Sequence, residues 1–319
     1  MSFSSETKDA LAREPLEPKC CMHAELVAFI HLAGSVDILG NDRRSLMINT
    51  ESQCIARRVY NLIKELYGIG SRLMISENKK LNKLHTFHIS VTDTEAADRI
   101  LLDAGVLRKD GGYANLDISF KERLTETECC RKAFLRAAFL AAGSVCNPEK
   151  FYHLEFTVEN ASFAGGFLKL LEQLNLNAKI TSRKGHTVIY LKGADQVSEL
   201  LAHMHAFEAM LKLENIRVLK DVRNNVNRAV NCENANVDKT INAATRQIES
   251  IQYISDNLGL DKLPEHLRRA AELRLSNPYA PLSELCSMVS DEVGKSGLNH
   301  RLKKLEKIAQ DLRSEKGEI

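Results

Sequence analysis

The sequence predicts an α+β protein: two copies of an α-β-β-α-β-β-α unit, then an all-α region with the element order of a helix-turn-helix. Three observations predict it. An apolar, alanine-rich segment occurs twice. Each copy is followed by the same alternation of strand-like and helix-like periodicity. The last third keeps only helical periodicity and ends in a segment that is basic on one side.

The chain has 319 residues, room for two or three domains that each bury a core. Apolar residues make up 44% and charged residues 27%, the composition of an ordinary globular protein. Net charge is only +2, so any basic binding surface has to be local. Residues 1–19 are polar and mixed in charge, with no apolar core of a signal peptide. No run of about 18 apolar residues occurs, so a cytoplasmic protein without a membrane span is expected.

The duplication joins Cys20–Val36 to Cys129–Val145. Nine of the 17 aligned positions are identical without a gap. Small residues recur at four-residue spacing: Ala24 and Ala28 in one copy, Ala133, Ala137 and Ala141 in the other. Small side chains on one face let two helices approach closely, so the copies are expected to pack against each other about a pseudo-two-fold axis.

After the first copy come a β-like run at Leu46–Asn49 and an amphipathic helix over Gln53–Tyr67. Strands at Arg72–Ser76 and His85–Val91 follow, then a helix over Thr94–Ala104. After the second copy come a strand at His153–Val158, a helix at Ala161–Leu174, a hairpin of Asn177–Ser182 with Thr187–Lys192, and a helix over Asp195–Leu211. Lys79, Lys80, Lys83, Arg183 and Lys184 fall on hairpin tips, where they either touch phosphates or form solvated turns.

Eight cysteines occur, none in a C-x-x-C pair. A disulfide framework is not expected in a chain of this size and compartment. Cys20, Cys21 and His23 lie close in sequence, but a zinc site needs four spaced ligands. Buried free thiols are therefore expected, with no metal and no cofactor.

The two copies resemble the nine-residue motif of the LAGLIDADG homing endonucleases, with Leu26–Gly34 and Leu135–Gly143 on the motif and Gly34 and Gly143 at its final glycine. In that family the last acid of each motif binds the metal that activates water. Here those positions are Ala33 and Ala142, and the earlier acid position holds His31 and Leu140. Asp37 lies beyond Ala33, but its counterpart is Cys146. Alanine cannot ligate magnesium, so nuclease activity is expected to be absent.

From Arg217 to Arg246 asparagines and cations accumulate. This stretch reads as a polar connector leading into a helix over about Val237–Leu258. Arg223, Asn227, Arg228, Lys239 and Arg246 are its candidate contacts to a DNA backbone; a purely structural linker explains them equally well. A helix over Pro264–Leu275 stops at Asn277-Pro278, and a second begins at Pro281–Val289. A polar break at Ser290–Gly294 precedes Lys295–Leu312.

Successive residues of the last helix turn by about 100°. Leu298, Leu302, Leu305 and Ala309 fall within roughly 60° of one another and form a core stripe. Ser296, His300, Lys303 and Lys307 face the opposite way, with Lys304 beside them and Asn299 and Arg301 on the flanks. Gly294–Ile308 holds five Lys/Arg and one acid, Glu306. With Lys295, these residues make a candidate recognition helix: hydrogen-bonding groups near the N-terminus for base edges, cations beyond for phosphates. A solvated basic face on a packing helix is the alternative.

Over almost its full length the chain resembles the WhiA family of bacterial developmental and cell-division regulators. The two degenerate motifs, the stretch Asn224–Gln247 and the run Lys295-Ser-Gly-Leu-Asn-His-Arg-Leu-Lys-Lys-Leu305 carry the resemblance. Where the family usually has serine before that lysine, this chain has Gly294, a weaker helix N-cap. The resemblance implies a transcription regulator of sporulation or of cell division and chromosome segregation, bound to promoter DNA near the nucleoid. RNA polymerase or a second regulator is the partner in a separate reading, in which the duplicated scaffold is a protein-interaction platform. The expected organisation is a polar segment 1–19, repeats over 20–125 and 126–220, a connector over 221–258 and a helix-turn-helix domain over 259–319. Two other readings stay open: a metal-dependent DNA endonuclease, and a protein-interaction platform in which only the C-terminal domain binds DNA.

Overall fold

The duplicated segment folds as the two helices at the centre of the first of two units. The computed structural model describes residues 2–39, 43–78, 84–110, 113–288 and 294–316, and the chain divides after Lys220.

The first unit opens with α1 (Phe3–Arg13), capped by the Ser2 hydroxyl, which accepts the Ser5 amide at 3.1 Å. The first repeat follows: α2 (Lys19–Ala33), β1 (Gly34–Leu39), β2 (Arg43–Thr50), α3 (Gln53–Tyr67), β3 (Arg72–Asn78), β4 (Leu84–Val91) and α4 (Thr94–Asp103). A hairpin of β5 (Leu107–Asp110) and β6 (Tyr113–Leu116) leads to the second repeat. That repeat is α5 (Glu128–Ala142), β7 (Gly143–Val145), β8 (His153–Val158), α6 (Ala161–Gln173), β9 (Lys179–Arg183), β10 (His186–Lys192) and α7 (Ala194–His203). The sheets have matching antiparallel orders, β1-β2-β4-β3 and β7-β8-β10-β9. The expected α-β-β-α-β-β-α repeat is thus observed, and its first strands, β1 and β7, begin at the motif glycines themselves.

The helix pair α2 and α5 is packed most extensively of all element pairs. Ala24, Ala28, Ala133 and Ala137 are fully buried in one core with Leu26, Phe134 and Phe139. Each helix passes into a strand without an intervening residue, at Gly34 and Gly143. A β-carbon on Gly34 would collide with the Ile30 carbonyl, and one on Gly143 with Phe139. The motif glycine is therefore required by close approach, since both residues have extended backbone, not a left-handed one.

A charged group lies inside this apolar seam. Glu25 on α2 is 1% exposed and accepts hydrogen bonds from Arg58 of α3 at 2.7 Å and from Arg136 of α5 at 3.0 Å. Arg136 also pairs with Glu17 at 2.9 Å, and Arg58 donates to the Glu14 carbonyl at 2.6 Å. Burial opposes the charge on Arg136, yet the two carboxylates outweigh it and hold its pKa above the ordinary value. A second buried pair, Arg44 with Asp98 at 2.7 Å, ties β2 to α4.

Two expectations need correction. Residues 1–19 are not merely a polar segment. Phe3, Thr7, Leu11 and Ala12 are buried on one side of α1, and Lys8 donates to the Leu140 carbonyl at 3.2 Å. The polar residues are the outer face of an amphipathic helix. The cysteines are not uniformly buried thiols either: Cys20, Cys129 and Cys232 are exposed, because they sit on helix ends and outer faces.

The second unit holds most of α8 (Phe207–Asn257), then α9 (Glu265–Ser276), α10 (Leu282–Ser287) and α11 (Lys295–Glu315). Its core joins Ile251 and Ile254 to Leu267, Ala271, Leu285, Leu298, Leu302 and Leu305. Arg274, also buried, donates to the Ala280 carbonyl at 2.8 Å and closes the loop between α9 and α10. Among the described residues no helix is long and apolar enough to cross a membrane.

Replacing Glu25 by alanine leaves two buried guanidinium groups without their shared anion. The expected loss is about 3–5 kcal/mol, because an uncompensated buried charge costs far more than a surface pair gains. Urea denaturation followed by circular dichroism checks this; a loss under 1 kcal/mol, the range of an exposed pair, would refute the central role of Glu25.

Candidate nucleic-acid interface

The apolar stripe of α11 decides which side chains it shows to solvent. Leu298, Leu302, Leu305 and Ala309 are each at most 1% exposed and pack on α9 and α10. The helix is thereby rotated so that Lys295, Ser296, His300, Lys303, Lys304 and Lys307 are exposed, with Asn299 and Arg301 half-buried at the flanks. Among the described residues, Lys295, Lys303, Lys304 and Lys307 have no ion-pair partner. Cations nearer the end of α11 are committed: Arg313 lies 4.7 Å from the Tyr253 ring and Lys316 donates to Asn257 at 2.5 Å. The break before α11 falls largely outside the described residues.

The connector reading needs correction. The helix does not begin near Val237: α8 is one helix from Phe207 to Asn257, so residues 221–236 are helical as well. Asparagine and valine favour a helix weakly. However, no glycine or proline interrupts the segment, and the helix stops only at Gly259, with φ of 86°. Arg223, Asn227, Arg228, Lys239 and Arg246 are all exposed on it. Val222, Val226 and Val230 are exposed beside them, which explains why their helical spacing does not produce a core.

The solvent-facing sides of the two sheets are polar but not uniformly basic. His88 lies 2.7 Å from both Asn49 and Ser76. On the second sheet Glu155 faces His153 at 3.0 Å and Arg183 at 3.6 Å. Lys184 and Gly185 both have positive φ, 52° and 84°, so the two-residue tip twists with its strands. Lys79, Lys80 and Lys83 lie outside the described residues.

Ala33 and Ala142 are the last residues of α2 and α5, both half-buried. Near them stand Lys8, on the Leu140 carbonyl, and His31, stacked on Phe163 with ring centroids 4.9 Å apart. Burial lowers the Lys8 pKa to about 8 and that of His31 to about 4.

Two α-β-β-α-β-β-α repeats sharing one helical seam, followed by a helical unit that ends in a basic face, define a LAGLIDADG-like frame joined to a helix-turn-helix. Family models match along the chain: the WhiA N-terminal LAGLIDADG-like domain over 19–107, the WhiA LAGLIDADG-like domain over 131–223 and the WhiA C-terminal HTH domain over 226–309. The chain belongs to the WhiA family. A protein of Alkaliphilus metalliredigens named "Probable cell division protein WhiA" is 44% identical over 97% of this chain and 98% of its own length. One of the same name from Thermoanaerobacter pseudethanolicus is 45% identical over 98% of each. The crystal structure of full-length WhiA from Thermotoga maritima is 28% identical and superposes with a TM-score of 0.60, covering 98% of this chain and 99% of that one.

Sequence reasoning missed Lys8 and the buried Glu25 network. The spacing Phe3, Thr7, Leu11 was a readable sign of α1, whereas nothing local marks Glu25 as the partner of arginines on two other helices.

His31 generates a pH-dependent prediction. Its unfolded pKa is about 6.5, and burial lowers the folded value to about 4. Between these values the unfolded chain binds a proton that the folded chain refuses. Stability from this group is therefore intact above about 6.5 and declines as pH falls toward 4. His31→Leu, which copies Leu140 of the other repeat, should become progressively more stable relative to the parent over that window. Urea midpoints at several pH values test it; a constant difference between the two proteins would contradict the assignment.

Proposed function

We propose that this chain is a transcription regulator that binds double-stranded DNA at promoters through α11 and has no nuclease activity. The observation that carries the reading is the orientation of α11: its apolar stripe is consumed by the core, leaving Ser296, His300, Lys303, Lys304 and Lys307 together on the open side. His300, Ser296 and Asn299 have the donors and acceptors that read base edges, and Lys295, Arg301 and the other lysines suit phosphates. Exposed cations on α8, from Arg223 to Arg246, add backbone contacts.

The names of the relatives support a role in cell division, and chromosome segregation or sporulation fits the same regulatory class. A DNA-binding role would place the protein at the nucleoid in the cytoplasm. We assign the repeats to 20–125 and 126–220, with α1 packed on them, a connecting helix over 221–258 and the DNA-binding domain over 259–319. With its polar, charge-paired sheet faces, the duplicated frame serves as a platform for RNA polymerase or a second regulator.

Absence of catalysis rests on Ala33 and Ala142, which offer no ligand to magnesium, and on the Lys8 ammonium at the end of α5, which would repel a divalent ion. Incubation with supercoiled plasmid and magnesium should produce no nicked product; nicking that is lost with chelator would restore the nuclease reading.

Binding is tested with duplexes selected by the full-length protein from a randomised library. Lys303→Ala should weaken all selected duplexes alike and lower the salt slope by about 1. His300→Ala should cost about 1–3 kcal/mol and relax the preference at one base position. Unchanged affinity in both variants would remove α11 from the groove. Truncation before Leu260 should abolish binding; binding retained by residues 1–259 would transfer the DNA site to the duplicated frame.

A further inference from the structure

The duplicated motif begins, in both copies, with two adjacent cysteines. Cys20 and Cys21 lie in the first turn of α2, and Cys129 and Cys130 in the first turn of α5. Because the two helices pack along each other, the pairs meet. All four Sγ atoms lie within 4.8 Å of one another, and those of Cys20 and Cys21 are 3.9 Å apart. Each pair contributes one buried and one exposed residue: Cys21 and Cys130 inside, Cys20 and Cys129 at the surface.

We propose that these four cysteines form a structural, tetrahedral metal site that takes one zinc ion. The spacing selects the chemistry. Zinc binds thiolate at about 2.3 Å, so the sulfurs of a regular tetrahedron stand about 3.8 Å apart. The sulfurs of Cys20 and Cys21, 3.9 Å apart, already have that separation, and all four lie within 4.8 Å of one another. A disulfide requires about 2.05 Å, and all four cysteines are free thiols. In an iron–sulfur cluster the thiolates are shared among several irons and stand farther apart.

The surroundings suit the charge. A zinc ion with four thiolates is doubly negative. It would lie at the N-termini of both α2 and α5, where the helix dipoles favour negative charge. Thr127, the cap of α5, places its hydroxyl 3.4 Å from the Cys129 sulfur and supplies an outer partner. The exposed pair gives the ion a path in. Loading replaces up to four thiol protons by one zinc ion, with no oxidation or reduction.

The site would clamp the end of the helical seam opposite to Ala33 and Ala142. It explains why cysteines that form no C-x-x-C motif are paired and duplicated: half of a ligand set stands on each repeat.

The test uses the full-length protein purified under reducing conditions. Metal analysis should find one zinc per chain, and cobalt(II) in its place should show the d–d bands and thiolate charge transfer of a tetrahedral four-sulfur site. The double variant Cys20→Ser/Cys129→Ser, altered only at exposed positions, should bind zinc more than about a hundredfold more weakly. That exceeds the about 10–100-fold expected of an outer-partner change such as Thr127→Ala. Cys54→Ser should retain full binding, and zinc should raise the melting temperature of the parent but not of the double variant. If the double variant does not fold, the intensity of the parent's cobalt charge-transfer band still counts the thiolates. Folded parent protein without zinc and without cobalt bands, undiminished affinity in a folded double variant, a disulfide between the pairs, or an iron–sulfur spectrum would each overturn the proposal.

Discussion

The carboxylate of Glu25, held between Arg58 and Arg136 inside the α2–α5 seam, is the interaction on which the first unit depends. The alanines let the two helices approach closely, and Glu25 is buried between them. An anion in that setting is tolerable only if cations are brought to it, and each arrives on a different element: α3 brings Arg58 and α5 brings Arg136. Arg58 in turn reaches the Glu14 carbonyl beyond the end of α1. One buried charge thus fixes the placement of four helices, with a directionality that apolar packing alone does not have.

That asymmetry also distinguishes the two repeats. Their backbones share one strand order, yet Glu25 aligns with Phe134, and Arg136 with Val27. The duplication has kept the frame and the glycines that the helix-to-strand passage requires. At the seam it has replaced symmetric side chains by a complementary pair. The last residue of each helix, before the motif glycine, is an alanine, and Lys8 stands near the one at the end of α5. Frame and chemistry are separable properties, because a fold is maintained by its core and an activity by a few side chains at one end of it.

In the second unit the same economy operates on α11. Four buried residues orient the helix, and everything on its opposite side is released from structural duty. Among the described residues Lys295, Lys303, Lys304 and Lys307 have no ion-pair partner, whereas Arg313 and Lys316 toward its end are engaged by neighbours. Helix α8 behaves differently: its middle residues, valines included, are exposed, so its helicity there rests on backbone hydrogen bonds and the absence of breakers.

Periodicity and repetition determined a great deal by themselves: the fold class, the duplicated unit, the packing of the two alanine-rich helices, and the open face of α11. These follow from local spacing, since a helix that buries one stripe has no choice about the other. The continuity of α8 and the helix α1 were legible in principle, from missing breakers and a four-residue stripe, but weak propensities obscured them. Only the tertiary structure decided that Glu25 bridges two arginines, that Lys8 reaches Leu140, and that two Cys-Cys pairs far apart in the chain become one cluster of four sulfurs. Each of these depends on distances between residues of different elements. Such distances are set by how closely the helices pack, and no local pattern along the chain encodes them.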